Sequence, residues 1–205
     1  LKALGCERPD LAVSSHPHPD HLLGLVSVIR EVGPKLLVLP ESFKGDERYG
    51  PLLLAASEGG VPVRWVGPGA YELPECPGIS IFSSPGPGEN DKSLMVVAES
   101  GGEAVLVSGD VESRGQENIL SLLPEGDFLA ATAPHHGLPD AFLRAFWEKV
   151  RPRKILVSSQ NGGKSPCAEL RGIAGEQSAS IFTTGEVGYI LAEFGGTDAE
   201  PKAAR

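Results

Sequence analysis

Ser15-His16-Pro17-His18-Pro19-Asp20-His21 decides how this chain is read. It is an H-x-H-x-D-H pattern that follows a short apolar run, Leu11-Ala12-Val13, and leads into an amphipathic stretch over 22–32. Such a density of imidazoles and carboxylates exceeds what packing or solubility asks for. Imidazole nitrogen with carboxylate oxygen is the donor mixture of zinc, manganese and iron sites. At a strand end side chains alternate, so His16 and His18 point to one side. Pro17 and Pro19 hold the loop extended, because each proline restricts its own φ and the residue before it. Asp20 and His21, at the start of the following helix, then face the same cavity from another direction.

Outward from this motif, the spacing predicts a strand over 10–15. Leu22, Leu25, Val26 and Ile29 recur on one helical face that Gly33-Pro34 stops. The wholly apolar run over 36–40 suits a strand buried on both faces. A helix is expected over 52–58, opened by Pro51, with strands over 61–66, 71–73 and 79–84. Proline, glycine and polar residues make 84–92 a surface loop. A β-hairpin is expected over 93–99 and 103–108, turning at Ser100-Gly101-Gly102. Helices follow at 112–123, 139–150 and 166–176, and strands at 127–133, 154–159, 180–184 and 187–194. Residues 1–194 read as one domain and 195–205 as a flexible tail. Frequent antiparallel hairpins among helices fit an α/β fold of four layers, an αββα sandwich, better than one doubly wound sheet.

The chain has 205 residues, with 40% hydrophobic and 22% charged, enough for one domain with a proper core. No apolar run is long enough to span a membrane, and the first residues lack the apolar core of a signal peptide. With no initiator methionine, the chain reads as a fragment of a longer one. Cys6, Cys76 and Cys167 are scattered and match no metal or disulfide framework, leaving thiols or one Cys6–Cys76 bridge. A net charge of −9 argues against a broad basic face for nucleic acid, although divalent cations would reverse the sign locally. The basic cluster Lys149, Arg151, Arg153 and Lys154 reads as a solvated helix end rather than a phosphate contact.

All five histidines fall in two motifs, three in H-x-H-x-D-H and two in Pro134-His135-His136-Gly137. Scattered core or surface histidines would not avoid every other position. Asp110 joins them: in Val107-Ser108-Gly109-Asp110 it closes an apolar strand, where glycine lets the backbone turn and the carboxylate project.

His16-Pro17-His18-Pro19-Asp20-His21 resembles the signature of the metallo-β-lactamase superfamily. Further features resemble more narrowly the soluble C-terminal domain of ComEC-type competence proteins, the DNA-uptake channels of transformable bacteria. They are Asp10-Leu11-Ala12-Val13-Ser14-Ser15-His16, Asn90 with Ser93-Leu94, Ser108-Gly109-Asp110-Val111-Glu112, Pro134-His135-His136-Gly137 and Val150-Arg151-Pro152. The resemblance implies an αββα metallo-β-lactamase-type sandwich with two divalent metal ions, zinc or manganese, with iron left open. His16 and His18 would hold the first metal. Asp20, His21 and one of His135 or His136 would hold the second, with Asp110 bridging. Asp20, Asp110, His135 and His136 are the candidate catalytic groups around a metal-activated hydroxide.

The implied activity is a metal-dependent hydrolase, a DNA nuclease or phosphodiesterase. DNA is its implied substrate, and the channel portion of the same parent protein its partner on the extracytoplasmic side of a bacterial membrane. Hydrolysis of another ester (a choline-phosphate ester or a thioester) and a non-catalytic domain binding metal or DNA are the alternatives. No histidine lies between His21 and Asp110. The third ligand of the first metal therefore falls to the second of the paired histidines, to Asn90 or Asp91, or to water. Lys164-Ser165 stands before Pro166 where relatives carry Gly-His-Pro, so Lys164 joins Asn90 and Ser93 as a candidate substrate contact. The family's opening strands are absent, so the sandwich is expected to lack its first strands.

Overall fold

The computed structural model describes residues 5, 7–159, 163, 165–190 and 194–195. Three apolar clusters separate four layers. A three-stranded parallel sheet runs in the order β1 (Leu11–Val13), β2 (Leu36–Pro40), β3 (Val63–Val66). Its outer face is covered by α1 (Pro19–Val32) and α2 (Gly50–Glu58). Among the described residues the larger sheet has seven strands. They are β4 (Gly69–Glu72), β5 (Ile79–Ser83), β6 (Leu94–Ser100), β7 (Glu103–Val107), β8 (Ala130–Thr132), β9 (Lys154–Val157) and β10 (Ser180–Thr183). These lie in sequence order, antiparallel from β4 to β7 and parallel from β7 to β10. On its outer face lie α3 (Ser113–Ile119), α4 (Arg144–Val150) and α5 (Ala168–Gln177). The helix–sheet–sheet–helix sandwich expected from the element order is the observed architecture.

Period-two alternation builds these layers. In β2, Leu37 and Leu39 join α1 and α2, while Leu36 and Val38 turn to the larger sheet. In β6, Met95 and Val97 face the outer helices, while Leu94 and Val96 line the core between the sheets. An all-apolar β2 is thus what a strand covered on both faces requires. Pro19 opens α1, and Gly33, at φ 59°, closes it by donating its N–H to the carbonyls of Val28 and Ile29. Outside the larger sheet, Phe146 and Trp147 pack edge to face at 5.1 Å.

Several expectations change. The helix predicted over 139–150 is a 3-10 turn, Pro139–Ala141, followed by α4. Phe142 and Leu143 between them take extended dihedrals that lay both side chains on the core, so tertiary packing overrides local propensity. The strand predicted over 187–194 does not begin: Val187 ends a helical turn, α6 (Thr184–Val187), and Gly188 at φ 82°, ψ −86° leaves the β region. Residues 191–193 lie outside the described residues, as does the tail beyond Gly195. The loop over 84–92 is partly interior, with Ser84, Gly86 and Asp91 buried. Cys76 is a buried free thiol, while Cys6 lies outside the described residues. Around the basic cluster, Arg151 pairs with Asp127 and Arg153 with Glu103. No helix among the described residues is long and apolar enough to cross a membrane.

The parallel run β7–β8–β9 sends its carboxyl ends to one edge, and β1 ends at the same place. The site is built there.

Candidate metal centre

The loop after β1 is pinned before any imidazole is placed. Ser14 donates its N–H to Val38 O, and Leu94 at the start of β6 donates to Ser15 O at 3.0 Å. Ser15 Oγ then contacts Nδ1 of His16 at 3.1 Å and Nδ1 of His21 at 3.3 Å. One hydroxyl thus orients two rings and leaves the Nε2 atom of each to face Asp110. Fixing one ring nitrogen is how proteins aim the other at a metal.

Asp110 sits one residue beyond Gly109, whose φ is 56°. A Cβ on Gly109 would lie 2.8 Å from Ser15 Cβ and 3.0 Å from Leu94 O, so this close approach requires glycine. Asp110 Oδ2 faces three imidazoles, with His21 Nε2 at 3.2 Å and the Nε2 atoms of His16 and His136 each at 3.7 Å. Asp20 Oδ2 lies 3.5 Å from Nε2 of both His21 and His136. Two triads that could hold a metal ion therefore share His21: His16–His21–Asp110 and Asp20–His21–His136, each with its ligand atoms within 4.8 Å of one another.

His136 is oriented from behind, its Nδ1 lying 2.8 Å from Ser158 O beyond β9. A backbone carbonyl can only accept, so Nδ1 carries the proton and Nε2 offers its lone pair to the centre. The backbone turns sharply here, His135 and His136 having φ 44° and 58°. Consecutive left-handed residues are costly without glycine, and they splay the two rings 6.1 Å apart. His135 faces the other way, its Nδ1 3.1 Å from Asp140 Oδ1 and 3.6 Å from Glu112 Oε1. Of the pair, His136 alone joins the Asp110 group.

The electrostatics follow from this packing. Burial, reinforced by neighbouring His21, pushes His16 down to about 4. Burial also acts against a charge on His21, but the Asp110 and Asp20 carboxylates outweigh it and raise its pKa. Burial works against ionised Asp110 too, and the imidazoles of His21, His136 and His16 overcome it and lower its pKa. His16 Nε2 and His21 Nε2 are buried with no geometrically formed hydrogen bond among the described residues. Orphaned nitrogens aimed at one carboxylate oxygen are costly in an empty interior, and a cation bound between them would satisfy all three. The donor set fits a divalent metal.

The remaining predicted residues are placed differently. His18 Nε2 turns to Glu89 Oε2 at 3.0 Å, though its ring still packs edge to face on His16 at 4.3 Å. Arg48 holds Glu89 through two hydrogen bonds and Asp46 through its other face, and together with His18 it keeps the Glu89 carboxyl down at about 2. Asn90 donates to Glu112 Oε1 at 2.8 Å. Ser93 is buried with an unpartnered hydroxyl. Lys164 lies outside the described residues. Ser15, Ser158, Glu89 and Arg48 escaped sequence reading. Only Ser15 carried a local signal, its place inside the motif.

Beside the centre opens a cavity of about 520 Å³, lined by Asp20, His21, Asp110 and His136 and by aliphatic chains including Val13 and Val107. A second cavity beyond His136 is lined by Leu138, Ser158, Ser159, Ser165 and Thr184. Fold and site together define an α/β sandwich that carries, at its strand ends, histidine–aspartate groups able to hold metal.

This chain is similar to ComE operon protein 3 of Bacillus subtilis (strain 168), with 24% identity over 162 residues that cover 78% of the chain and 21% of the relative. The chain thus spans about a fifth of the length of that curated relative. No family model matches it.

Proposed function

We propose that this chain is a metal-dependent hydrolase of the metallo-β-lactamase type, a nuclease or phosphodiesterase acting on DNA during competence-linked uptake. One observation carries the chemistry: Asp110 Oδ2 is buried among the Nε2 atoms of His16, His21 and His136, two of which are buried with no geometrically formed hydrogen bond among the described residues. Asp20, His21 and His136 would hold one divalent ion, with Asp110 and His16 on the side of a second. Such ions bring the pKa of bound water to about 7 and offset charge developing on phosphoryl oxygens. The protein's part is orientation. Ser15 and Ser158 aim the imidazoles, Gly109 lets Asp110 approach, and the half-exposed rim at Asp20 and His136 leaves the substrate side open.

The choice of DNA, a channel as partner and an extracytoplasmic position rest on the resemblance of the motifs to ComEC-type proteins. The likeness to ComE operon protein 3 supports that choice. An overall charge of −9 puts the burden of phosphate binding on the cations rather than on a basic face. Among the alternatives, the aliphatic lining of the larger cavity favours an apolar ester such as a thioester. A choline ester is disfavoured, because among the described residues no Phe, Tyr or Trp lines that cavity to cage a quaternary ammonium.

The test is cleavage of labelled single- and double-stranded DNA with manganese or zinc, beside thioester and phosphocholine substrates. Wild type should cleave DNA, and Asp110→Ala should lose at least about a hundredfold in activity and in metal affinity. Equal activity in wild type and variant would sink the catalytic assignment.

A further inference from the structure

We infer that the hydroxyls of Thr184 and Ser165 are the positioning groups that fix His136 as a metal ligand. This rests on the metal-centre reading above and names what holds one of its ligands in place. The carbonyl of Ser158 takes the Nδ1 proton of His136 at 2.8 Å and so aims Nε2 at the centre. A carbonyl can aim a ring only if it is itself held. Ser158 lies beyond the end of β9, whose register stops at Leu156 against β8 and at Val157 against β10. Among the described residues no ladder pairing reaches Ser158, and its side is exposed.

Thr184 takes the place of the ladder. It stands one residue beyond the last β10 pair, Thr183 with Val157, at the start of α6. Its Oγ1 accepts the N–H of Ser159 at 3.1 Å and donates to the carbonyl of Ser159 at 3.3 Å. A hydroxyl has one donor and two acceptor sites, so it can grip both backbone groups of one residue. The Ser159 N–H and the Ser158 carbonyl belong to the same planar peptide unit and point opposite ways across it. Holding the N–H therefore sets the direction of the carbonyl behind His136. Thr184 Oγ1, this peptide and the imidazole form one chain of hydrogen bonds, in which each bond polarises the next.

Ser165 works on the ligand's own backbone. His136 sits at φ 58°, ψ 17°, a left-handed conformation that a residue with a side chain adopts only where its surroundings hold it. Ser165 Oγ donates to the carbonyl of His136, and Cys167 N–H donates to that of Gly137 at 2.9 Å. Both carbonyls of the turn are thus held by one short segment, and a Cβ on Gly137 would lie 3.4 Å from Ser165 Oγ. Ser165 fixes where the ring is rooted, and Thr184 fixes where it points. The brace borders the site: His136, Ser158 and Thr184 line both cavities.

Zinc and cobalt(II), titrated separately and calorimetrically into metal-free protein with the visible cobalt bands followed, test this. Thr184→Val removes the hydroxyl at nearly constant volume, and Thr184 is only half-buried, so the fold should survive. Affinity should fall about 3- to 10-fold, at or below the lower end of what losing an outer-layer partner costs, and the cobalt bands should shift. Thr184→Ser keeps the hydroxyl and should restore both. Ser165→Ala should weaken binding to a similar extent. In a His136→Ala background Thr184→Val should add no further loss, because the hydroxyl acts through that ring. Unchanged affinity and spectrum in either single variant would overturn the inference and leave the metal-centre reading standing, as would an equal loss from Thr184→Val with and without His136. No metal bound by wild type would overturn the metal-centre reading and this inference with it.

Discussion

Asp91 and Asp110 are nearly equally buried, at 3% and 4% exposure, and they do opposite things. Asp91 spends both oxygens on backbone N–H groups of Gly88 and Gly115, so the protein itself satisfies it. Asp110 faces three imidazole nitrogens, two of which are buried with no geometrically formed hydrogen bond among the described residues. A buried carboxylate answered by amides is structural, because amides give it a complete shell of donors that cannot leave. One that faces orphaned imidazoles has a shell completed only by a cation or a proton. The paired histidines repeat the lesson. His136 turns its free nitrogen toward Asp110, while His135, one residue away, is engaged by Asp140 and Glu112.

The histidine pair gives the largest expected contrast. His136→Ala should lower metal affinity about 10- to 100-fold, and His135→Ala should leave it within about threefold. Equal losses in the two variants would break the division between centre and rim. Calorimetric titration with zinc reads both.

Asp91→Ala should unpair two interior N–H groups and destabilise the fold by about 2–4 kcal/mol. In a chain of this size that lowers the melting temperature by roughly 5–15 °C. Metal stoichiometry should stay at the wild-type value. Loss of metal with an unchanged melting temperature would instead make Asp91 a ligand.

The smallest effect separates the buried donors by pH. In metal-free protein the His16 pKa is depressed to about 4 from its ordinary 6.5, so the unfolded chain takes up the proton first. The associated stability is full above about 6.5 and is lost as pH falls toward 4. Asp110, also depressed, adds a loss in the same direction at lower pH, below the ordinary 3.8 of its carboxyl. His21, being raised, works oppositely: its contribution is present below 6.5 and is lost as pH rises through its folded value. Melting temperature in chelator should therefore fall between pH 6.5 and 4, and more gently in His16→Gln. A flat profile in both proteins would show that His16 is not buried as a neutral ring.

Much of the architecture was legible because burial imposes period. The all-apolar run in β2, the helical face of α1 and the hairpin of β6 and β7 lie where alternation placed them. Boundaries failed where tertiary packing paid no heed to local preference, as at Phe142 and Leu143, or where Gly188 left the β region. The site divides the same way. His16, Asp20, His21, Asp110 and His136 were marked by residue type and strand-end position. Ser158, which orients His136 from behind, was not, because no local pattern links residues brought together from separate loops.

By itself, the amino-acid sequence determined the layers and the inventory of donors, since periodicity and residue type are local properties of the chain. Only the tertiary structure decided which donors meet. Adjacent His135 and His136 part company through two left-handed residues, while His16 and Asp110, far apart in the chain, come within 3.7 Å. The physical reason is that a ligand set is defined by the direction of a lone pair. Direction is fixed by the hydrogen bond behind each ring: Ser15 behind His16 and His21, and Ser158 behind His136.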